Sequence, residues 1–184
     1  NAGCWRQTGT GNHALDRQAS EDLWLRALVC TTRPTTTEYI ERWVGDVNGT
    51  STNQWAVYIT NTGGIGAYNN TPSGGTPSLV QAGVIPVSGT WCGIIDWYSN
   101  ARVGATGSQG KGELCINGTC TSVTGSALQA NVAGNFVIGG TFNCGSPTHA
   151  TIVGLGIAIG EKARSQWSRW SHHREVGRLF APPG

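Results

Sequence analysis

Cys115-Ile116-Asn117-Gly118-Thr119-Cys120 is the stretch whose reading decides the fold. Asn-Gly between β-formers is a strong short-range hairpin signal, because a type I′ turn needs positive φ at both central residues. With Asn117 and Gly118 at the tip, Ile116 and Thr119 become the hydrogen-bonded pair beside the turn. Cys115 and Cys120 then face each other as a non-hydrogen-bonded pair, whose Cα separation of roughly 4.5 Å lies within disulfide range. The hexapeptide therefore predicts two antiparallel strands and a cross-strand disulfide between Cys115 and Cys120.

Outward from this hairpin, β-branched or alternating segments recur between turn signals, at 23–29, 39–44, 54–60, 64–68, 79–84, 90–98, 112–116, 119–123, 135–138 and 150–159. In Gln54-Trp55-Ala56-Val57-Tyr58-Ile59-Thr60, the residues Trp55, Val57 and Ile59 share one face and should point inward. Trp24, Trp55 and Trp91 fit buried strand positions. The stretches 61–66, 69–77 and 104–110 read as turns and loops. Near the end, Ser171 reads as an N-cap, with Val176, Leu179 and Phe180 on one helical stripe that Pro182 and Pro183 stop. The expected architecture is all-β: an antiparallel two-sheet jelly-roll sandwich with one short C-terminal helix, braced by disulfides, in a single domain over 1–184.

Composition agrees. Gly is the commonest residue at 28 copies, and charged residues make up only 12%, which suits short strands and tight turns. With 38% hydrophobic residues and eight Trp, the chain has enough apolar surface to fold. The longest apolar run, Ile152 to Ile159, is broken by Gly154 and Gly156 and is too short to span a bilayer. Six Cys in a Lys-poor chain point to an oxidising compartment and paired thiols. Zinc is the competing reading, but no C-x-x-C is present. The first residue is Asn1, with no basic or apolar leader, as in a processed product or an excised domain. A net charge of +2 does not call for nucleic acid. Lys162, Arg164, Arg169, Arg174 and Arg178 crowd the C-terminal end, where they read as a solvated face.

The order of these pieces resembles the concanavalin A-like jelly rolls of the laminin-G and pentraxin type. Asp22-Leu23-Trp24-Leu25-Arg26-Ala27-Leu28-Val29-Cys30 looks like that superfamily's early core strand, and Gly89-Thr90-Trp91-Cys92-Gly93-Ile94-Ile95-Asp96-Trp97-Tyr98 like its central strand. Gly112-Glu113-Leu114-Cys115-Ile116-Asn117-Gly118 follows as the family's asparagine-glycine hairpin would. Phe136-Val137-Ile138-Gly139-Gly140 resembles the strand that ends in glycine, and Glu175-Val176-Gly177-Arg178-Leu179-Phe180 the closing helix. The resemblance implies a disulfide between Cys30 and Cys92, as in pentraxins, which leaves Cys4 and Cys144 to tie the N-terminal segment to a late loop.

The same superfamily contains glycoside hydrolases and polysaccharide lyases. The hydrolases' E-x-D-x-x-E strand is absent, as are the lyases' motifs. Retaining glycosidases need carboxylates about 5 Å apart, and no two acidic residues stand two or four apart in this chain. A pair assembled from different strands, Glu113 with Asp96, is the remaining option. His13, His149, His172 and His173 are scattered and read as surface histidines. The resemblance also raises calcium, for which Asp46, Asn48 and Asn53 form the oxygen-rich loop, but one carboxylate makes a poor cage. No cofactor is expected.

Glycan binding asks for an exposed aromatic ring beside amide groups. Trp43, Tyr68, Trp97 and Tyr98, with Asn69, Asn70 and Asn100, are the candidates. Asn48-Gly49-Thr50, Asn69-Asn70-Thr71 and Asn117-Gly118-Thr119 are glycosylation sequons. The sequence thus leads to a non-catalytic recognition module, extracellular or on a virion surface, that binds a glycan or glycoprotein surface. The alternative is a structural subunit of a filament or virion that binds copies of itself or other subunits, and a polysaccharide-active enzyme comes a distant third.

Overall fold

The structure is a computed structural model that describes residues 5–9, 21–47, 50–69, 78–100, 110–125, 134–140 and 148–179. The expected Cys4–Cys144 pair, Asn48, Asn70 and Phe180 lie outside these residues. Trp43, Asp46, Asn53, Asn69 and Asn100 lie within strands, with side chains outside the described set.

In chain order the elements are β1 (Trp5–Gly9), β2 (Leu23–Thr31), β3 (Glu38–Val47), β4 (Thr50–Ile59), β5 (Ile65–Asn69), β6 (Ser78–Gln81), β7 (Trp91–Asn100), β8 (Gly110–Ile116), β9 (Thr119–Gly125), β10 (Gly134–Ile138), β11 (Thr151–Ile159) and α1 (Glu161–Leu179). They form an antiparallel two-sheet sandwich. A six-stranded sheet has the order β1-β10-β3-β4-β5-β6, and a five-stranded sheet the order β11-β2-β7-β8-β9.

Strict alternation builds the core. On β2, Leu23, Leu25, Ala27 and Val29 are buried between the sheets, while Trp24, Arg26, Leu28 and Cys30 face outward. Trp55, Val57 and Ile59 of β4 meet them from the other layer, as the alternation requires. Trp24 does not fit the buried position expected of it. It stands on the outward parity of β2 and is covered only in part, by α1.

The hairpin forms as its sequence predicts. Asn117 and Gly118 have φ of 49° and 81°, and Cys115 pairs with Cys120 in register and in a disulfide. Cys30 and Cys92 also occupy opposed positions, on β2 and β7, and are bonded.

Several boundaries differ from expectation: β3 runs to Val47 rather than 44, β4 starts at Thr50 rather than 54, and three further departures have clear causes. The helix starts at Glu161 rather than after Ser171, because Ala163, Trp167 and Trp170 supply an earlier stripe that docks on the five-stranded sheet. Strand β6 ends at Gln81, where Gly83 turns the chain with φ of 68°. Strand β1 is not anticipated by any pattern in the sequence. It is a short edge strand held by its pairing with β10 rather than by an apolar pattern of its own.

Two titrating groups give the fold a pH dependence. Glu41 is fully buried, both carboxylate oxygens lack a partner among the described residues, and desolvation lifts its pKa well above the ordinary 4.5, with the Asp96 charge adding to the rise. His149 is exposed, and its pKa is raised by the hydrogen bond and charge of Glu38, which also accepts from the Thr148 hydroxyl. A pKa raised on folding contributes stability that is complete below the unfolded value and is lost as the pH climbs through the folded value. Stability is therefore expected to fall first above pH 4.5, as unfolded Glu41 ionises, and again above about 6.5, as His149 deprotonates. Melting temperature against pH for Glu41→Gln should lose the first limb, and for His149→Asn the second. An unchanged profile in both variants would refute these assignments.

Candidate functional site

The outward parity of β2 and β7 carries the chemistry. Trp24 lies opposite Tyr98 and Arg26 opposite Asp96, so two aromatics and an ion pair line up across the strands. The Asp96 carboxylate, 1% exposed, accepts the Trp24 indole N–H at 2.9 Å. It also accepts Nε and Nη2 of Arg26 at 2.7 and 3.0 Å, a two-pronged contact. The Arg26 guanidinium lies 5.1 Å from the Trp24 ring and 5.3 Å from that of Trp170.

Helix α1 closes this face at one end. Trp167 stacks on Tyr98 with centroids 4.8 Å apart and planes 5° from parallel. Beneath it the buried carboxylate of Asp22 accepts the Tyr98 hydroxyl at 2.5 Å and Nε of Arg164 at 3.0 Å. That contact pins the helix to the start of β2.

Between the helix and β11 a pocket of about 210 Å³ remains, lined by Trp24, Arg26, Gly156, Ile157, Ala158, Lys162 and Gln166. The absent side chain of Gly156 keeps it open. A Cβ there would meet only the Arg26 Cβ, at an ordinary 3.8 Å, so a side chain can start from this position, and a larger one would take up pocket space. Lys162 is exposed at its mouth and has no ion-pair partner among the described residues. The pocket thus offers an indole edge, a guanidinium, an ammonium and a side-chain amide. The Trp24 N–H and the Nε and Nη2 of Arg26 already donate to Asp96, so a ligand's hydroxyls, carboxylate or sulfate would be met by the Lys162 ammonium, the Gln166 amide and the remaining guanidinium N–H groups, with the indole as an apolar wall.

Of the glycan-binding candidates expected from the sequence, Tyr68, Trp97 and Tyr98 have described side chains, and these three do not share a surface; two of them are corrected. Trp97 is 0% exposed and faces the core, because β7 runs between β2 and β8 and Trp97 lies on its inward parity. Its ring sits against Gly112, where a Cβ would collide with it. Tyr98 is buried under Trp167 and has no free face for a sugar. Tyr68 is half-buried in a row with Tyr58 and Tyr39 on the six-stranded sheet, away from the pocket.

Asp96 and Glu113 both lie on the outer side of neighbouring strands, but Asp96 is held by Trp24 and Arg26. Glu113, Cys115 and Cys120 bring three potential metal-binding atoms within 4.8 Å of one another, yet both sulfurs are taken up in the disulfide. Sequence reasoning missed Trp24, Arg26, Lys162 and Gln166 as a group. The usable signal was the parity of β2, which sets Trp24 and Arg26 opposite the buried stripe.

No protein-family model matches this chain, and no curated protein matches it in sequence. Solved structures do match in fold. The CBM40 of a Ruminococcus gnavus IT-sialidase, bound to α2,6-sialyllactose, aligns with a TM-score of 0.53 and 14% identity over 87% of this chain and 97% of that one. The same CBM40 solved without a named sugar aligns with a TM-score of 0.50 and 15% identity, over 88% and 97%. The NanB sialidase from Streptococcus pneumoniae, in complex with 2-[(3-chlorobenzyl)ammonio]ethanesulfonate, aligns with a TM-score of 0.56 and 11% identity. That match takes in 92% of this chain but only 27% of the sialidase. At such identities the likeness is one of fold.

Proposed function

We propose that the protein is a concanavalin A-like recognition module that binds carbohydrate without catalysing its breakdown, in the pocket between β2, β11 and α1. The observation that carries this reading is the pocket's lining. An aromatic edge, a guanidinium, an ammonium and an amide converge on one open cavity, while the buried carboxylates beside it, Asp22 and Asp96, are tied to Arg164 and Arg26. With the Arg26 charge met by Asp96, the Lys162 ammonium is, among the described residues, the uncompensated cation of the lining, and it favours a sugar that carries a carboxylate or sulfate. The fold shared with a CBM40 solved on sialyllactose supports a glycan partner. Two disulfides support a location outside the cytosol, as a secreted or virion-surface protein. The reading invokes no metal or other cofactor.

Titration calorimetry against an acidic oligosaccharide selected on a glycan array tests it. Lys162→Gln is expected to weaken binding by roughly tenfold, the loss of one charge-assisted hydrogen bond at an open site. Gly156→Leu, which fills the pocket, should abolish binding while leaving the melting curve in place. An array with no bound sugar, with and without calcium, sinks the proposal, as does binding that neither substitution changes. A second reading, a subunit of an extracellular assembly, draws on the outer edge of β11.

A further inference from the structure

We infer that the free edge of β11 is a self-complementary interface, on which a second copy of the chain adds its own β11 antiparallel about a two-fold axis at Gly156. The interface uses the backbone edge of the strand, whereas the carbohydrate pocket opens beside the same Gly156, Ile157 and Ala158, so the two sites adjoin.

Strand β11 pairs with β2 on one side and with no other described strand on the other. Natural edge strands are kept short, charged, proline-bearing or covered, because a row of unpaired N–H and C=O groups invites another strand. Thr151–Ile159, with sequence TIVGLGIAI, runs nine residues and has neither a charge nor a proline. Among the other described edges, β6 has only four residues, β1 carries Arg6, and β9, though it too lacks a charge or proline, is two residues shorter and contacts β6 of the other sheet.

Among the described residues, the side chains along this edge are incompletely covered. Leu155, Ile157 and Ile159 stand opposite Ala27, Leu25 and Leu23, which are fully buried. They share the inward parity of those residues, yet they remain only half-buried. Val153, set at the break in register between Ile152 and Gly154, is 60% exposed.

The pattern names the occupant. From Gly154 onward the strand is regular, with small residues Gly154, Gly156 and Ala158 on the outer parity and Leu155, Ile157 and Ile159 on the inner. A two-fold axis at Gly156 sets Gly156 against itself, Gly154 against Ala158, and Leu155 against Ile157. Each residue then meets one of its own face, as in any isologous antiparallel pair, and here that sets small against small on the outer face and large apolar against large apolar on the inner face. The five-stranded sheets of the two copies become one continuous sheet, and the half-buried apolar row is covered. Pairing through one strand buries less than a standard interface, so the dimer should be concentration-dependent.

Sedimentation velocity of the full chain over a concentration series tests this. The expected result is a monomer–dimer equilibrium whose dissociation constant rises roughly tenfold or more in Val153→Lys, an exposed position where a charge leaves the fold intact. Gly156→Cys should give a disulfide-linked dimer on oxidation, because residues opposed in a ladder lie within bonding distance. Gly154→Cys should not, since its partner in the other copy is Ala158. A monomer at every concentration overturns the inference. So does a dimer that Val153→Lys leaves unchanged, or one in which Gly154→Cys links as readily as Gly156→Cys.

Discussion

Replacing Cys30 and Cys92 together by alanine is expected to lower the unfolding free energy by about 4 kcal/mol, against about 2 kcal/mol for replacing Cys115 and Cys120. The difference follows from chain entropy. Cys30–Cys92 spans a sequence separation of 62, and Cys115–Cys120 spans only 5, so the first bond removes far more freedom from the unfolded chain. The native-state cost is small for Cys92, which is exposed, and moderate for Cys30, which is half-buried, so neither alanine leaves a large cavity. The hairpin pair is also partly redundant, because the Asn117-Gly118 turn and the ladder from Gly110 to Gly125 already hold the two strands together. Urea denaturation of the two double variants, with m-values compared to confirm a common unfolded state, measures the gap. Equal losses would mean that the β2–β7 bond works through native contacts rather than through loop closure.

That contrast also shows what was legible in the sequence. The hairpin disulfide could be read locally, because turn type fixes register and register fixes which cysteines meet. The Cys30–Cys92 bond joins strands distant in sequence, and only family resemblance pointed to it. The strands themselves were visible as β-formers between turn signals, and facing was legible where the two faces differ, as in β4, but hardly in β2, where Trp24, Leu28 and Cys30 make the outer face largely apolar too. Strand β7 poses the same difficulty. In Gly93-Ile94-Ile95-Asp96-Trp97-Tyr98 both faces are apolar, so alternation could not say whether Trp97 or Tyr98 pointed outward, and neither proved to be free. The pocket was hidden for a related reason. It needs the register of β2 against β11, which a bulge near Val153 shifts, together with a helix start set by Trp167 docking on Tyr98. Each of these is a tertiary fact that no local pattern encodes.

The same tertiary facts make Arg26 a sensitive position. Arg26→Met is expected to cost about 3–5 kcal/mol, toward the lower figure because the Arg26 side chain is 36% exposed and water can partly replace it. The loss comes mainly from Asp96. Its carboxylate would stay almost fully buried with one indole N–H in place of three donors, an ionised group without its counter-charge. The substitution also removes the cation that lies beside both Trp24 and Trp170, loosening the seat of α1. If the uncompensated charge is the cause, Arg26→Met combined with Asp96→Leu should recover most of the stability, since a buried pair exchanged for apolar groups of similar size is often neutral. A double-mutant cycle on urea midpoints reads the coupling directly. Carbohydrate binding should separate from stability in that cycle. The double variant folds but lacks the guanidinium that the pocket offers, so a binder with restored stability and undiminished affinity would move the recognition site away from Arg26.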